Sequence, residues 1–259
     1  MASSEPGLDC AVADGVATLT LRNRAKRNAM TVSMWRDLPV LLDRLAGDRE
    51  VRVLVLTGAG GTFCAGADIG SLRGETPPDG GPRALAVAAE DALAAFPRPT
   101  LAVLRGHCVG GGCQLAVACD LRFAARDALL GITPAKLGIV YPPSATRRLV
   151  ALVGPATAKH LLFSAELVGT DRALRGGLVD EVHDGSDLDE RVARYTAVLA
   201  SRSRLTQTAA KAFADTASDP ARDAERHARW TAEGIRSGET AEGVAAFLAG
   251  RSPAFPWNG

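Results

Sequence analysis

Two glycine-rich segments have the residue types needed to bind a negative charge with backbone amides. The first is residues 60–68 (GGTFCAGAD) and the second is residues 106–114 (GHCVGGGCQ). Glycine permits positive φ angles and a close approach of the backbone to a ligand, and free N–H groups at the start of a helix favour anions. Two such amides pointing at one atom would form an oxyanion hole. Plain turns are the alternative, and neither segment has the Lys-Ser/Thr ending of a P-loop.

Each glycine-rich segment follows an apolar run that predicts a buried strand. Residues 51–57 (VRVLVLT) precede the first segment, and residues 100–104 (TLAVL) precede the second. A short buried helix is expected directly after the second segment. Residues 120–125 predict the next strand, in which Asp120 and Arg122 are expected to pair with each other. The two segments should therefore lie at equivalent places in two strand–loop–helix modules.

The rest of the chain predicts an N-terminal hairpin and a helical C-terminal part. The Asp-Gly pair at positions 14–15 separates two short alternating runs, which is typical of a two-residue hairpin turn. From about residue 144 onward, helical periodicity dominates. Strands that alternate with helices, followed by helices alone, favour an α/β core with a helical C-terminal unit. Residues 70–82 predict a loop, which we expect to help shape a ligand pocket.

Composition excludes several classes of protein. The chain has 259 residues, of which 30 are basic and 29 acidic, giving a net charge of +1 that argues against a general nucleic-acid binder. No apolar stretch reaches membrane-spanning length, and residues 1–7 form no apolar signal core. We therefore expect a soluble, cytoplasmic protein that binds neither nucleic acid nor membranes. The 5 cysteines do not match a zinc-site spacing, so we expect reduced thiols that pack in the core.

Several short motifs occur in a specific order along the chain. They are residues 23–30 (NRAKRNAM), 63–68 (FCAGAD), 106–116 (GHCVGGGCQLA), 119–122 (CDLR), 242–248 (EGVAAFL) and 251–253 (RSP). In this combination, from about residue 8 to residue 255, the chain resembles the enoyl-CoA hydratase/isomerase (crotonase) superfamily.

The resemblance implies a fold, a ligand and an assembly. The expected fold class is α/β, with a crotonase-like spiral of ββα turns over residues 1–200 and a helical trimerisation region over residues 201–259. The expected ligand is an acyl-CoA thioester. No cofactor is expected beyond the coenzyme A of the substrate itself, and no metal. The expected assembly is a homotrimer or a dimer of trimers.

The resemblance also assigns residues to the site by position. The backbone N–H groups of Ala67 and Gly111 would form the oxyanion hole and bind the thioester oxygen as it gains enolate charge. Arg24 and Lys26 are expected to contact the phosphates or adenine of coenzyme A, although a solvated charged turn explains them equally well. Asp68 is expected to cap a short helix rather than to take part in chemistry. The full set of expected substrate-contact residues is Arg24, Lys26, Ala65, Asp68, Ile69 and Gly110.

The chain departs from the family at both glutamates that hydratases use. These glutamates position a water molecule and transfer its proton, which is general acid–base catalysis. Their positions are occupied here by Gln114 and Ala135. A glutamine side chain can bind a water molecule but cannot accept its proton near neutral pH. We therefore expect hydration of simple 2-enoyl thioesters to be absent or very weak.

Tyr141 offers an alternative chemistry. The residues around it, 133–141 (TPAKLGIVY), are similar to those of the family's methylmalonyl-CoA decarboxylase, where a tyrosine at this position faces the leaving carboxylate. Loss of CO₂ generates an enolate directly, without a base acting on carbon. That decarboxylase has a histidine where this chain has Ala67, so the match is incomplete. A half-buried tyrosine whose hydroxyl bonds to the backbone is the simpler interpretation of Tyr141, and a non-catalytic binder of CoA thioesters is a further alternative.

Overall fold

A computed structural model describes residues 5–68, 70, 81–216 and 219–259. The described strands are β1 Gly7–Ala13, β2 Val16–Arg22, β3 Val53–Gly58, β4 Thr100–Leu104, β5 His107–Val109, β6 Leu121–Ala125, β7 Leu129–Gly131, β8 Val168–Gly169 and β9 Glu181–His183. The described helices are α1 Val32–Gly47, α2 Gly81–Ala94, α3 Gly111–Ala118, α4 Pro143–Ser164, α5 Thr170–Arg175, α6 Gly185–Ser201, α7 Arg204–Ala214, α8 Pro220–Arg236 and α9 Glu239–Leu248. The mixed α/β class predicted from the sequence is confirmed.

Six strands form one large sheet in the order β1-β2-β3-β4-β6-β9. β1 and β2 are antiparallel, and their connection at Asp14 and Gly15 has φ angles of 50° and 77°. Both turn residues therefore have the positive φ that a type I′ hairpin requires. The other neighbouring pairs of this sheet are all parallel, so crossover segments must connect their ends.

A second, smaller sheet contains the strands that follow β4 and β6 in the chain. β5, β7 and β8 form a three-stranded sheet, with β5 parallel to β7 and β7 antiparallel to β8. Isolated parallel bridges join Cys64 to Cys108 and Met30 to Ala67. The chain passes from β4 in the large sheet to β5 in the small layer and then into α3, and it repeats the first two steps with β6 and β7. This ββα progression positions the two glycine-rich segments next to each other.

Side chains alternate between the two faces of the large sheet, and each face has its own core. Leu54 and Leu56 belong to the larger core, which also includes residues of α1 to α4. Val55, between them, lies in a smaller core with Leu188 of α6. The alternation follows from the two-residue period of a strand, and it is why a strand buried on both faces reads as a continuous apolar run.

The expected pairing of Asp120 with Arg122 is wrong. Arg122 is buried, and its guanidinium donates to the Cys119 carbonyl at 2.7 Å and to the Asp180 carboxylate at 2.9 Å. Asp120 instead accepts from Lys211 at 2.9 Å. Arg122 reaches only the backbone carbonyl of Asp120, at 3.1 Å, whereas each of the two side chains pairs with a residue distant in the sequence. Arg122 thereby binds the carbonyl end of α3.

The C-terminal helices follow β9 in the chain. α6 ends at Ser201 and α7 begins at Arg204, so the proposed division after residue 200 falls one residue before the end of α6; the division itself stays a prediction. The predicted 70–82 loop is too long at its end, because α2 already begins at Gly81, and residues 71–80 lie outside the described residues. In the described chain, no helix has both the length and the apolar character to cross a membrane.

Candidate active site

Backbone hydrogen bonds hold the two glycine-rich segments side by side. The Phe63 amide donates to the Arg105 carbonyl at 2.8 Å, and the Val109 amide donates to the Cys64 carbonyl at 2.9 Å. These bonds join the stretch after β3 to the stretch after β4. The two segments that could bind an anion therefore lie next to each other and are joined by backbone hydrogen bonds.

Buried asparagine side chains fix the bend before the first segment. Asn28 is fully buried, and its Nδ2 donates to the Ala59 and Thr62 carbonyls at 2.8 Å each. Its Oδ1 accepts from the Asn23 amide at 3.0 Å. Asn28 itself has a φ of 56°, a left-handed conformation that asparagine adopts more readily than most residues. The 23–30 motif thus positions the loop that leads to Ala67.

The amides of Ala67 and Gly111 converge. Met30 donates to the Gly66 carbonyl at 2.8 Å and accepts from the Asp68 amide at 2.9 Å, so the intervening Ala67 N–H points away from Met30. A Cβ atom built on Gly111 would lie 3.7 Å from the Ala67 nitrogen, and one built on Gly66 would lie 3.3 Å from the Gly111 nitrogen. Neither amide donates to an acceptor in the described part of the chain. Both remain available to a ligand.

Glycine is required at three places for this convergence. Gly110 has a φ of 57° and a ψ of −124°, a combination that residues with a side chain avoid. A Cβ on Gly112 would lie 2.4 Å from the Cys64 carbonyl oxygen, and one on Gly66 would lie 3.0 Å from the Val109 carbonyl oxygen. A larger residue would separate α3 from the first segment and move the two amides apart.

Ala67 and Gly111 both line a cavity of about 180 Å³. Its wall is mainly apolar. The lining residues are Trp35, Ala65, Gly66, Ala67, Pro82, Arg83, Ala86, Val87, Glu90, Gly110, Gly111, Gln114, Thr133, Pro134, Leu137, Ile139, Val140, Tyr141 and Pro142. The structure therefore brings Ala65, Ala67, Gly110, Gly111 and Gln114 of the expected site to one cavity, together with Tyr141.

The charged residues of the expected coenzyme A contact lie outside this cavity. Lys26 and Asp68 form an ion pair of 2.6 Å, and Asp68 also accepts from the Gly70 amide at 3.1 Å. The hydrogen bond from Lys26 holds the pKa of Asp68 below its ordinary value. The Arg24 side chain runs beside Gly60, with its Nε 3.1 Å from a Cβ built there. Ile69 lies outside the described residues.

The two positions at which the resemblance expects the hydratase glutamates, Gln114 and Ala135, differ in their surroundings. Gln114 is only 1% exposed, and neither its Oε1 nor its Nε2 has a hydrogen-bond partner among the described residues. An unpaired buried amide is costly, which is expected where a ligand or water supplies the partner. Ala135 is exposed on the turn Pro134–Lys136 and does not line the cavity.

Tyr141 reaches the cavity beside the second segment. Its hydroxyl lies 3.7 Å from a Cβ built on Gly110, and burial raises the pKa of Tyr141 above its ordinary value. Within the described chain, the hydroxyl has no hydrogen-bond partner. The backbone bond that the simpler interpretation of Tyr141 requires is therefore not observed there, and the hydroxyl is free to contact a ligand.

The sequence reasoning missed Glu90. This residue of α2 lines the cavity, and its side chain is buried, with 5% exposure for the whole residue. Burial raises the pKa of Glu90 from 4.5 to about 8; Arg148 lowers the pKa and Asp91 raises it further. The available signal was a glutamate among alanines, one turn before the core residue Leu93. Helical periodicity alone would have placed such a residue at the edge of the apolar face.

Comparisons with known proteins agree with this geometry. Residues 11–258 match the family profile described as "Enoyl-CoA hydratase/isomerase". A probable enoyl-CoA hydratase of Bacillus subtilis is 33% identical over 257 residues, covering 96% of this chain and 98% of the relative. The short-chain-enoyl-CoA hydratase of Clostridium acetobutylicum is 34% identical over 177 residues, 67% of each chain. A crystal structure of an enoyl-CoA hydratase/isomerase family member superposes with a TM-score of 0.91, 37% identity and 98% coverage of both chains.

The fold and these matches define an acyl-CoA enzyme built on the crotonase fold. The chain belongs to the enoyl-CoA hydratase/isomerase family. The resemblance inferred from the motifs is thereby confirmed, as is the crotonase-like fold with its helical C-terminal region. The reaction that this chain catalyses is a separate question, since one fold can support many different reactions.

Proposed function

We propose that the protein binds an acyl-CoA thioester in the cavity and stabilises its enolate with the N–H groups of Ala67 and Gly111. The convergence of these two unpaired amides at one wall of the cavity carries the proposal. Enolate formation places negative charge on the thioester oxygen, and donors fixed in advance are most effective where charge develops. The N-terminus of α3 adds its positive dipole end at the same point.

Ordinary hydration is a poor fit to this cavity. Each acid–base group of a hydratase contributes about 10²–10⁴-fold to the rate, and here Gln114 and Ala135 replace both. Several relatives bear the names of hydratases, but those names describe those proteins. We propose that this chain forms an enolate without adding water to a 2-enoyl thioester.

A matched pair of variants tests the oxyanion hole. Gly111→Pro removes the N–H at the first position of α3, where proline is otherwise well tolerated. Gly111→Ala keeps the N–H but introduces a Cβ 3.2 Å from Cζ2 of Trp35, so it controls for the added bulk. We expect Gly111→Pro to lower kcat by about 10²–10³-fold relative to Gly111→Ala. Equal activities of the two variants would refute the assignment of Gly111.

A substrate panel identifies the reaction. The protein is incubated in D₂O with crotonyl-CoA, a 3-enoyl-CoA and methylmalonyl-CoA, and the products are separated by liquid chromatography and followed by mass. Enolate chemistry predicts isomerised or proton-exchanged 3-enoyl-CoA. Hydrated crotonyl-CoA formed at a rate ordinary for the family would contradict our interpretation of Gln114. Binding of all three thioesters without turnover would support the non-catalytic binder instead.

Decarboxylation is the second candidate, and the free Tyr141 hydroxyl beside Gly110 favours it. The hydroxyl would orient a carboxylate on the α-carbon, and loss of CO₂ would deliver the enolate to the same two amides. CO₂ release from methylmalonyl-CoA, lost in Tyr141→Phe, is the expected result for this candidate. No CO₂ release by the wild-type protein would eliminate it.

The proposal also includes the residues that contact coenzyme A and the oligomeric state of the protein. We propose that Arg24 and Lys26 contact coenzyme A, with Ala65, Asp68, Ile69 and Gly110 along its thioester end. We also propose that the C-terminal helices form a trimer, as a trimer or as a dimer of trimers. Three large apolar side chains of these helices support this, because they are open to binding a partner: Ile235, Phe247 and Leu248 are 69%, 85% and 79% exposed. Light scattering of the purified protein gives the expected trimeric or hexameric mass, and a monomeric mass would contradict it.

A further inference from the structure

One face of α2 forms a wall of the cavity and carries a carboxyl group. Arg83, Ala86, Val87 and Glu90 all line the cavity. Their spacing of three, one and three residues places them on one side of a helix. Among the described residues, Glu90 is the only one with a carboxyl side chain that lines the cavity, which residues of both glycine-rich segments also line.

Glu90 has no partner that would explain it as a structural residue. Among the described residues, its carboxyl group forms no hydrogen bond and no ion pair, although the residue is only 5% exposed. Its neighbour Asp91 pairs with Arg148 of α4 instead. A buried carboxyl group without a partner destabilises a fold, and such groups concentrate at functional sites.

Two charged side chains, Arg148 and Asp91, lie near enough to Glu90 to affect its pKa. Arg148 lowers the pKa of Glu90 and Asp91 raises it. Glu90 in turn raises the pKa of Tyr141, as does Cys113 of α3. Glu90 and Tyr141 both line the cavity.

We propose that Glu90 is the acid–base residue that removes and returns the proton at the α-carbon of the bound thioester. The proposal rests on the enolate function proposed above. In the forward step the C–H bond breaks, the proton moves to an oxygen of the Glu90 carboxylate, and the electron pair passes to the thioester oxygen at the Ala67 and Gly111 amides. In the return step the Glu90 carboxyl gives a proton to the α-carbon, or to the γ-carbon of a dienolate. No further reactant is needed.

This assignment explains how the cavity can work without the family's two glutamates. A single carboxyl group that acts as base and then as acid suffices for proton exchange or double-bond migration, whereas hydration must also activate a water molecule. The raised pKa of Glu90, about 8, is near the pH at which such a group transfers protons best. It also predicts that the base form, and hence the exchange rate, increases as the pH rises to about 8.

The test is exchange of the α-protons of a 3-enoyl-CoA in D₂O, followed by mass. Glu90→Gln keeps the shape of the side chain but cannot accept the proton, and we expect it to lower exchange by at least about 10²-fold while thioester binding changes little. Asp91→Asn, on the same helix but outside the cavity wall, is the control and should retain exchange. In the wild-type protein, the rate should rise with pH and level off above about pH 8, and this rise should vanish in Glu90→Gln.

The outcomes separate the two proposals. Exchange that persists in Glu90→Gln but is lost in Gly111→Pro would overturn the role of Glu90 and leave the enolate function intact. A wild-type protein that binds the thioester without exchanging its α-protons would refute the enolate function itself. A Glu90→Gln protein that no longer binds the thioester would also count against proton transfer, since that role requires binding to survive.

Discussion

Glu90 should make the stability of this protein depend on pH in an unusual direction. In the unfolded chain the carboxyl group loses its proton near pH 4.5, whereas the folded protein keeps it until about pH 8. Between these values the folded state binds more protons than the unfolded state, so the free energy of unfolding falls as the pH rises. Replacing Glu90 by glutamine removes this contribution.

The size of the effect follows from the pKa of Glu90. Raising it from 4.5 to about 8, at about 1.4 kcal/mol per pH unit, corresponds to a loss of up to about 5 kcal/mol between pH 4.5 and pH 9. Relaxation of the cavity and entry of water reduce this figure. We therefore expect Glu90→Gln to be more stable than the wild-type protein at pH 9, by several kcal/mol, and to approach it near pH 5.

Urea unfolding at a series of pH values measures this difference directly. Asp91→Asn is the matched control: it removes the neighbouring carboxylate and its ion pair with Arg148, but it keeps Glu90. The control should therefore retain a fall in stability as the pH rises, although a smaller one, because Asp91 contributes to the raised pKa of Glu90. If the wild-type and Glu90→Gln curves ran parallel over this range, Glu90 would not be held protonated by its surroundings and the reasoning would be wrong.

Three further predictions test other parts of the structure. Gly112→Ala places a Cβ 2.4 Å from the Cys64 carbonyl oxygen; we expect a loss of stability of about 1–3 kcal/mol and loss of turnover, and wild-type values in both would contradict the close packing of α3. Arg122→Met removes a buried guanidinium and should cost about 3–5 kcal/mol in urea unfolding, whereas Arg126→Met, which loses an exposed ion pair, should cost less than about 1 kcal/mol. Gln114→Glu should increase hydration of crotonyl-CoA by at least about 10-fold, because it restores one acid–base group; an unchanged rate would show that this position alone does not limit hydration.

The sequence was sufficient for the parts of the fold that depend on local pattern. Apolar runs before each glycine-rich segment correspond to β3 and β4, and the Asp14-Gly15 pair forms the predicted turn between β1 and β2. The helices α4 to α9 agree with the helical periodicity predicted from about residue 144 onward. These features follow from backbone preferences of a few neighbouring residues.

Contacts between distant parts of the chain were less predictable. Asp120 and Arg122 are neighbours in sequence but bond to Lys211 and Asp180, which no local rule selects. Glu90 escaped notice for a related reason. Its position on a helix is evident from the sequence, but its exposure to a cavity depends on how α2 packs against α3 and α4. The family motifs identify only the positions that they contain, and none of them includes a residue of α2.

The cysteines around α3 have a practical consequence. Burial raises the pKa of Cys64 and Cys119 to about 12. It also raises the pKa of Cys108 well above its ordinary value. Only the thiolate attacks a disulfide reagent, so these sulfur atoms should stay inert at neutral pH until the surrounding layers separate. A colorimetric thiol reagent would then report, without any added label, how often the backbone that carries Gly111 opens to solvent.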